Sequence, residues 1–406
     1  MPLPARAEEG LARAVLGPSL GLRRGEVVTI ESWSHALPWA LALVREARRR
    51  GAEPILVVED EETYFHSLEP AEGRTIPQAP PALVAGSDVF VYLPGPQEFP
   101  RLFGLRDRDL LAAVRRHGPN WWRAARRRPT RVARLAISSA TPTAADHYGV
   151  DLDTWQRRIY RACLYPTGQL RRRCARLARE LDRARQLEIR HSNGTDLRLE
   201  LRHGSLRFDD GRVDARDRHH ARFATRIPAG AVSVGIEPTS VAGIWESNRP
   251  TYRRFRDPPS TQGSRFTFRR GRLVEYSFAR GGEAFRSALA QGGPARLRPS
   301  RISFGLNPEA DGIPELEEIA LGTITLWLGG EAALELPRRA AFSFASPLAG
   351  ADGRLDGRSW WSDRGPRRTA HLGTRSVTRP RTGTGGRTPR GADRPARDGA
   401  ARSARR

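Results

Sequence analysis

The stretch Gly25-Glu26-Val27-Val28-Thr29-Ile30 decides the fold class of this chain. A set of apolar residues at helical spacing follows it: Leu37, Ala40, Leu41, Val44 and Ala47. Gly51 then ends the periodic segment, and Ile55-Leu56-Val57-Val58 has the composition of a second buried strand. Strand, helix and strand within about thirty residues predict a βαβ unit, which closes onto a parallel sheet with a right-handed crossover.

The same pattern continues in residues 88–93 and 134–137, and Arg-rich helices are predicted between residues 152 and 185. We therefore expect residues 1–180 to form a doubly wound, mostly parallel α/β domain. After Gln186 the sequence changes to short alternating runs separated by turn residues such as Asn193-Gly194. This pattern of short alternating runs and turns predicts a second domain over residues 181–358, which belongs to the α+β class and is rich in antiparallel strands.

Residues 359–406 contain Gly, Pro, Thr and Arg with almost no aliphatic residues, which predicts a disordered tail. The formal net charge is +24, and all 69 basic residues are Arg. Such a positive charge is typical of proteins that bind nucleic acids. Because the Arg bias runs through the whole chain, we expect nucleic-acid binding only through the tail.

No apolar run is long enough to span a membrane, and the N-terminus has no secretory signal, so we expect a soluble, cytoplasmic protein. Neither a dinucleotide fingerprint nor a P-loop is present, and no nucleophile elbow follows a strand. The two cysteines, Cys163 and Cys174, are interpreted as packing residues.

Several phrases occur together in order. In the first domain they are Arg24-Gly25-Glu26-Val27-Val28, Val44-Arg45-Glu46-Ala47 and residues 88–96; in the second they are Gly194-Thr195-Asp196-Leu197, Ile227-Pro228-Ala229-Gly230, Gly271-Arg272-Leu273-Val274, Gly305-Leu306-Asn307-Pro308 and Leu321-Gly322-Thr323. With these phrases the sequence resembles the thermophilic aminopeptidase family, also called aminopeptidase T, over most of residues 10–358. The resemblance implies a cytoplasmic two-domain metallo-exopeptidase scaffold and a homodimer.

In that family two metal ions are held by Glu, His, Asp and Tyr side chains, and a further Glu activates a bridging water. The resemblance places those ligands at five positions of this chain: Ala231, Arg301, Thr325, Ser343 and Ala345. None of the nine histidines lies between Ala221 and Ala370. Methyl groups and hydroxyls cannot replace carboxylate and imidazole, and a guanidinium repels a divalent cation. We therefore predict no metal and no other cofactor, and we assign no catalytic residue.

Some carboxylates remain that could form an oxygen-only cation site: Glu237, Glu246, Asp257, Glu275, Glu317 and Glu318. Scattered acids of this kind are usually solvated. Glu237 is the best candidate for a residual site, because it follows Ala231 by six residues on a predicted strand. His219-His220 lies in a charged segment, and neighbours on a strand face opposite sides, which disfavours joint metal ligation.

Three hypotheses remain open. The first is an aminopeptidase T-like scaffold without metal-dependent hydrolysis, which binds a small molecule or peptide in the interdomain cleft. The second is an active aminopeptidase or related hydrolase with rearranged ligands for zinc, cobalt or manganese. The third is a nucleic-acid-binding protein that uses the tail and the segment Trp121-Trp122 beside Arg126-Arg127-Arg128, although inward packing of the two Trp residues is the simpler interpretation.

Overall fold

The first sheet, sheet A, consists of five parallel strands: β1 (Val27–Trp33), β2 (Glu53–Glu59), β3 (Val89–Tyr92), β4 (Arg131–Leu135) and β8 (Ala224–Ile227). Their order is β2-β1-β3-β4-β8, and all four pairings are parallel. The computed structural model describes residues 3–4, 6–68, 79–99, 101, 121–128, 130–214, 217, 222–252, 260–291, 298–329 and 343–367. Within them the predicted βαβ unit is confirmed as β1, a helix over Leu37–Arg49 and β2.

Helices cover both faces of sheet A. The helices in the described part are α1 (Ala7–Ala14), α2 (Leu37–Arg49), α3 (Glu61–Leu68), α4 (Ala79–Gly86), α5 (residues 121–127), α6 (Pro142–Tyr148), α7 (Leu152–Leu164), α8 (Thr167–Arg183) and α9 (Gly282–Gln291). On one face Leu43 of α2 packs into the same core as Ile30. On the other face Ala125 of α5 packs with Phe90. This two-sided cover is the doubly wound arrangement that the alternating sequence predicts.

Two antiparallel sheets follow. Sheet B contains β5 (Gln186–Arg190), β6 (Asp196–Glu200), β10 (Ala242–Glu246), β13 (Arg265–Arg269), β14 (Arg272–Ser277), β18 (Asp352–Leu355), β19 (Arg358–Ser362) and β20 (Gly365–Pro366). Sheet C contains β7 (Arg207–Asp209), β9 (Ala231–Gly235), β15 (Pro299–Gly305), β16 (Thr323–Gly329) and β17 (Ser343–Ala349). A short ribbon joins β11 (Thr251–Tyr252) to β12 (Ser260–Thr261). The predicted mixture of one parallel sheet and antiparallel strands is confirmed.

Sheets B and C share one apolar core. Alternate residues such as Leu187 and Ile189 of β5 and Ile302 and Phe304 of β15 belong to it, and all four are fully buried. Burying one such side chain stabilises the fold by about 2 kcal/mol. Trp245, also fully buried, donates its indole N–H to Ser346 Oγ at 2.9 Å. The alternation fixes which residues of sheet C face the core and which face away from it.

The chain passes from sheet A to sheet C within three residues. Strand β8 ends at Ile227 and pairs with β4, whereas β9 begins at Ala231 and pairs with β15. A strand that we assigned by sequence to residues 181–358 therefore completes the sheet of residues 1–180. The chain divides into two compact units, residues 1–368 and 369–406, and the described residues belong to the first. The domain boundary at residue 180 stays a prediction.

The ordered chain extends beyond the predicted start of the tail at residue 359. Strand β19 pairs with β18 and continues into β20, so residues 358–366 are part of sheet B. The reason is aromatic burial: Trp360 and Trp361 are 7% and 0% exposed and pack against Phe304. The prediction was wrong for residues 359–367, and residues 368–406 lie outside the described part. None of the described helices is long and apolar enough to cross a membrane.

Candidate functional site

The predicted ligand positions lie on neighbouring strands of sheet C, whose order is β17-β16-β15-β9-β7. Ala231 opens β9 opposite Gly305, and Arg301 of β15 lies between Gly235 and Trp327. Thr325 of β16 is opposite Ser303, and Ala345 of β17 is opposite Trp327. Ser343 opens β17 opposite Gly329; its side chain is outside the described part.

Four of these residues share one face of sheet C. Their strand neighbours Val232, Ile302, Phe304, Ile324, Leu326 and Phe344 all belong to the core between sheets B and C. Because side chains alternate along a strand, Ala231, Arg301, Thr325 and Ala345 lie on the opposite face. We call this set, together with Ser303 and Trp327, the site face. The structure thus places on one face of sheet C residues that are up to 114 positions apart in the sequence, with Ala231 four residues along the strands from the row of Arg301, Trp327 and Ala345.

Arg301 and Trp327 form the main side-chain contact on the site face. The guanidinium carbon of Arg301 lies 4.0 Å from the centre of the Trp327 ring. Trp327 in turn donates its indole N–H to Ser303 Oγ at 2.9 Å. Stacking of this kind fixes the guanidinium plane and stabilises a cation at this position.

Thr325 lies one strand away from Ser303 and is fully buried. Its Oγ1 has no hydrogen-bond partner. Buried hydroxyls are nearly always hydrogen-bonded, since leaving one unpaired costs about 1–3 kcal/mol. Thr325 is therefore an exception within an otherwise well-satisfied sheet.

The turn phrases of the sequence hold the end of the site face in place. Asn307, fully buried, donates from Nδ2 to Ala229 O at 2.8 Å and to Ala162 O at 3.1 Å. Gly230 adopts a φ of +132°, and a Cβ on it would lie 2.8 Å from Asn307 Cβ. A Cβ on Gly305 would lie 2.0 Å from Ala320 O. We call Gly230, Gly305 and Asn307 the Asn307 joint. A side chain at Gly230 or Gly305 would prevent the close approach of these backbone segments to Asn307 and Ala320.

A partly buried charge cluster includes Asp209, which pairs with Ala231 across the sheet. Asp209 of β7 is opposite Ala231, and Arg226 of β8 pairs with both Asp209 and Glu318. The pKa of Arg226 is raised by the negative charges of Glu318 and then Asp209. One guanidinium thus neutralises two carboxylates, those of Asp209 and Glu318. Glu318 is 9% exposed, so the expectation that it is a solvated surface acid was wrong.

A family model described as thermophilic metalloprotease (M29) matches residues 6–297 of this sequence, well over half of the chain. The chain belongs to the M29 family. No curated protein matches the sequence.

Two solved structures share the fold of this M29 protein. Wild-type AmpT from Thermus thermophilus, aminopeptidase T, has a TM-score of 0.67 at 18% identity and covers 89% of this chain and 99% of its own. The 2,5-dihydroxypyridine dioxygenase from Pseudomonas putida KT2440 has a TM-score of 0.60 at 15% identity and covers 90% and 99%. At these identities the likeness shows the fold alone. The two names describe different reactions, so the chemistry must be argued from the side chains.

The M29 match ends before most of the site face. It includes Ala231 and Glu237, whereas Arg301, Thr325, Ser343 and Ala345 lie beyond residue 297. A metalloprotease implies a metal ion, so the donors at the site face can be tested for fit. Ala231 and Ala345 offer no side-chain donor, Thr325 offers a neutral hydroxyl and Arg301 a cation, a set that does not fit a divalent ion. Among the described residues no group of three or more His, Cys, Asp or Glu is placed to hold a metal.

The remaining acidic candidates are dispersed. Glu237 lies in the turn after β9, which ends at Gly235, so it does not continue the strand as predicted. Glu246 pairs with Arg265, and Glu275 is exposed. Burial raises the pKa of Glu317 well above its usual range, with help from the charges of Glu315 and Glu318. Asp257 and the pair His219-His220 lie outside the described residues.

Sequence reasoning missed one titratable group on sheet A. Glu31 of β1 lies between Val57 and Tyr92 on neighbouring strands. Burial raises its pKa to about 7, and the charge of Glu59 adds to the shift. The signal in the sequence is a glutamate that directly follows the apolar run of residues 27–30.

The Trp121 segment packs inward. Trp121 lies edge-on to Phe90, and Trp122 packs on Phe223. A surface groove of about 580 Å³ runs beside this helix and is lined by Pro81, Ala82, Ala85, Arg123, Ala124, Arg127 and Arg128. It belongs to the sheet A part of the molecule and includes no residue of the site face. Cys163 and Cys174 are both buried, as the packing interpretation predicts.

Proposed function

We propose that this M29 protein keeps an aminopeptidase T-like scaffold, has lost metal-dependent peptide hydrolysis, and binds a small molecule or peptide against the site face. The single observation that supports this is Arg301 stacked on Trp327, where the resemblance calls for a carboxylate ligand. A fixed guanidinium attracts anions and repels the cation that hydrolysis by this family needs. The proposal includes a cytoplasmic location and a homodimer, which rest on the resemblance.

The alternative is an active aminopeptidase or related hydrolase with rearranged metal ligands. Family membership supports it, since the family model carries the name of a metalloprotease. Half-buried acids such as Glu317 would then have to act with ligands beyond the site face. The two proposals differ in one measurable property, which is the metal content of the purified chain.

The test uses the full chain. Zinc, cobalt and manganese are quantified by mass spectrometry after purification without chelator, and release of amino acids from unblocked peptides is followed with each metal added. We expect far less than one metal ion per chain and no release above the buffer rate. One metal ion per chain, together with peptide release that a chelator removes, would establish the alternative.

The second alternative is nucleic-acid binding through the Arg-rich tail. The boundary for a truncation is set by β20, which pairs with β19 up to Pro366, so residues 368–406 are the segment to delete. We expect DNA binding by the full chain to fall steeply with salt and to disappear in the truncated chain. Binding that survives truncation with the same salt dependence would assign the function to the body of the protein.

A further inference from the structure

Strand β2 forms an open edge of sheet A. It comes first in the order β2-β1-β3-β4-β8 and, among the described residues, pairs only with β1. Glu53 donates its backbone N–H to Glu26 O at 2.9 Å, so the odd-numbered residues of β2 direct their backbone groups toward β1. The even-numbered residues Pro54, Leu56 and Val58 therefore direct their backbone groups away from the sheet.

These outward backbone groups are unpaired. Leu56 and Val58 each provide an N–H donor, and all three even-numbered residues provide a carbonyl acceptor. Within the described part of the chain, no hydrogen bond uses these groups. Pro54 has no N–H, and its missing donor falls at the open edge, where it removes no bond of the ladder with β1. An edge of unpaired backbone groups is the surface to which an extended peptide adds as a further strand.

Apolar side chains are exposed along the same edge. Ile55 is 41% exposed on one face of β2. Val58 is 46% exposed on the other face, where Leu56 packs against the core beneath α2. A strand added to this edge would place its own side chains beside Ile55 and Val58 and remove apolar surface from water.

The charge on this edge favours a basic partner. Glu53 begins β2 and Glu59 ends it, and no Arg of the described residues is paired with either carboxylate. Antiparallel pairing with β2 of a second copy, centred on Leu56, would place Glu53 opposite Glu59 at both ends. Like charges directly opposite each other destabilise a strand pair, whereas Arg or Lys at the ends of an added strand would form ion pairs there.

We propose that the open edge of β2 binds an extended basic peptide segment as a sixth strand of sheet A. Leu56 and Val58 bond to its backbone through their outward groups. Ile55 and Val58 contact its side chains, and the carboxylates of Glu53 and Glu59 pair with basic residues at its ends. This surface includes no residue of the site face, so the inference does not depend on the ligand proposed there.

The probe is an N-acetylated peptide with a C-terminal fluorophore, Arg-Thr-Val-Thr-Val-Thr-Arg, and its binding to the full chain is followed by fluorescence anisotropy. Acetylation blocks removal of the first residue, so the measurement is independent of any peptidase activity. We expect Val58→Lys to weaken binding at least 5-fold, because it removes an apolar contact and repels the peptide. Val274→Lys is the matched control: it also changes an exposed valine on an edge strand, β14, and should bind as the parent does.

A second pair of variants tests the charge at the edge. Glu53→Gln should weaken binding about 3-fold at low salt and have little effect at high salt, because salt screens an exposed ion pair. Glu275→Gln, on the exposed side of β14, should have no effect at either salt concentration.

Hydrogen exchange of the parent chain locates the bound peptide. The amides of Leu56 and Val58 point outward, so they should exchange rapidly in the free chain and at least 10-fold more slowly with saturating peptide. The amides of Ile55 and Val57 point toward β1 and should be protected in both states.

Four outcomes of these measurements would overturn the inference: the parent does not bind the probe, Val58→Lys binds as tightly as the parent, Val274→Lys weakens binding equally, or bound peptide leaves the Leu56 and Val58 amides unprotected. Thermal unfolding of each variant shows whether the fold is kept, and exchange in the parent provides the decision if Val58→Lys is unfolded. A dimer that Val58→Lys dissociates in sedimentation equilibrium would assign this edge to a second copy and would also refute the proposal.

Discussion

The Asn307 joint lies where β9 begins and β15 ends, and it differs from the site face, which the same two strands help to form, in what its residues provide. In the joint, two hydrogen bonds from Asn307 and two close approaches at Gly230 and Gly305 fix the backbone. On the site face, Ala231, Thr325 and Ala345 offer no ligand that a divalent cation prefers. The comparison teaches that close backbone packing fixes these strands at one end, while the side chains further along them provide no metal ligand.

The largest expected effect comes from supplying the missing donors. A variant with Arg301→Glu, Thr325→His and Ala345→Asp, in which Arg301 and Ala345 are each one diagonal step from Thr325, should bind zinc or cobalt at least about 1,000-fold more tightly than the parent, a difference of about 4 kcal/mol. Competition with a coloured chelator measures it. A folded variant with no gain in affinity would show that the positions do not converge, and the comparison would fail.

The second effect tests the joint. Gly305→Ala places a methyl group 2.0 Å from Ala320 O, so either β15 or the segment before β16 must move. We expect a loss of about 3 kcal/mol in the free energy of unfolding, measured by urea titration. Gly86→Ala is the matched control, because nothing lies within 4 Å of a Cβ at the end of α4. Equal stability of the two variants would remove the packing argument for the joint.

The third effect extends the comparison to sheet A. This sheet contains a half-buried acid, Glu31, whereas the site face contains no acidic residue. Folding raises the pKa of Glu31 to about 7, so the protonated carboxyl stabilises the fold below pH 4.5 and this contribution is lost as the pH rises through 7. Glu31→Gln should therefore be about 2 kcal/mol more stable than the parent at pH 8 and equal to it at pH 4.5. Gln186→Ala at the exposed start of β5 removes no titratable group and should show no such pH dependence.

The smallest effect belongs to the unpaired hydroxyl. Thr325→Val removes a buried group without a partner and keeps the shape of the side chain, so we expect a gain of about 1 kcal/mol in the free energy of unfolding. Ser303→Ala, at a buried position whose Oγ accepts from Trp327, should instead lose stability. A loss in both variants would mean that Thr325 has a partner in solution.

Local pattern predicts the first sheet well, and its failures have physical causes. Strands β1 and β2 are found within two or three residues of their predicted limits. Strand β4 was predicted over 134–137 but spans Arg131–Leu135, because Arg131 is buried: it donates to Leu20 O and Gly21 O at 2.8 Å and pairs with Glu26. Because a charged residue occupies a core position, a search for runs of apolar residues misses the first part of this strand.

For the site, the sequence predicts which residues share a face of the sheet better than it predicts which side chains form ion pairs. Ala231, Arg301, Thr325 and Ala345 do share a face, because the turn phrases set the register of their strands. The pairing of Arg226 with Asp209 and Glu318 was missed, since it joins residues that no local period relates.

The short passage from β8 to β9 has a mechanical consequence. Only three residues separate the last residue of β8, in sheet A, from the first residue of β9, in sheet C, so the chain has no slack there to absorb a movement. A strain on β9 must be transmitted along the backbone to the outermost strand of sheet A. Hydrogen exchange at the amides of β8 in sheet A should therefore change when β9 in sheet C moves.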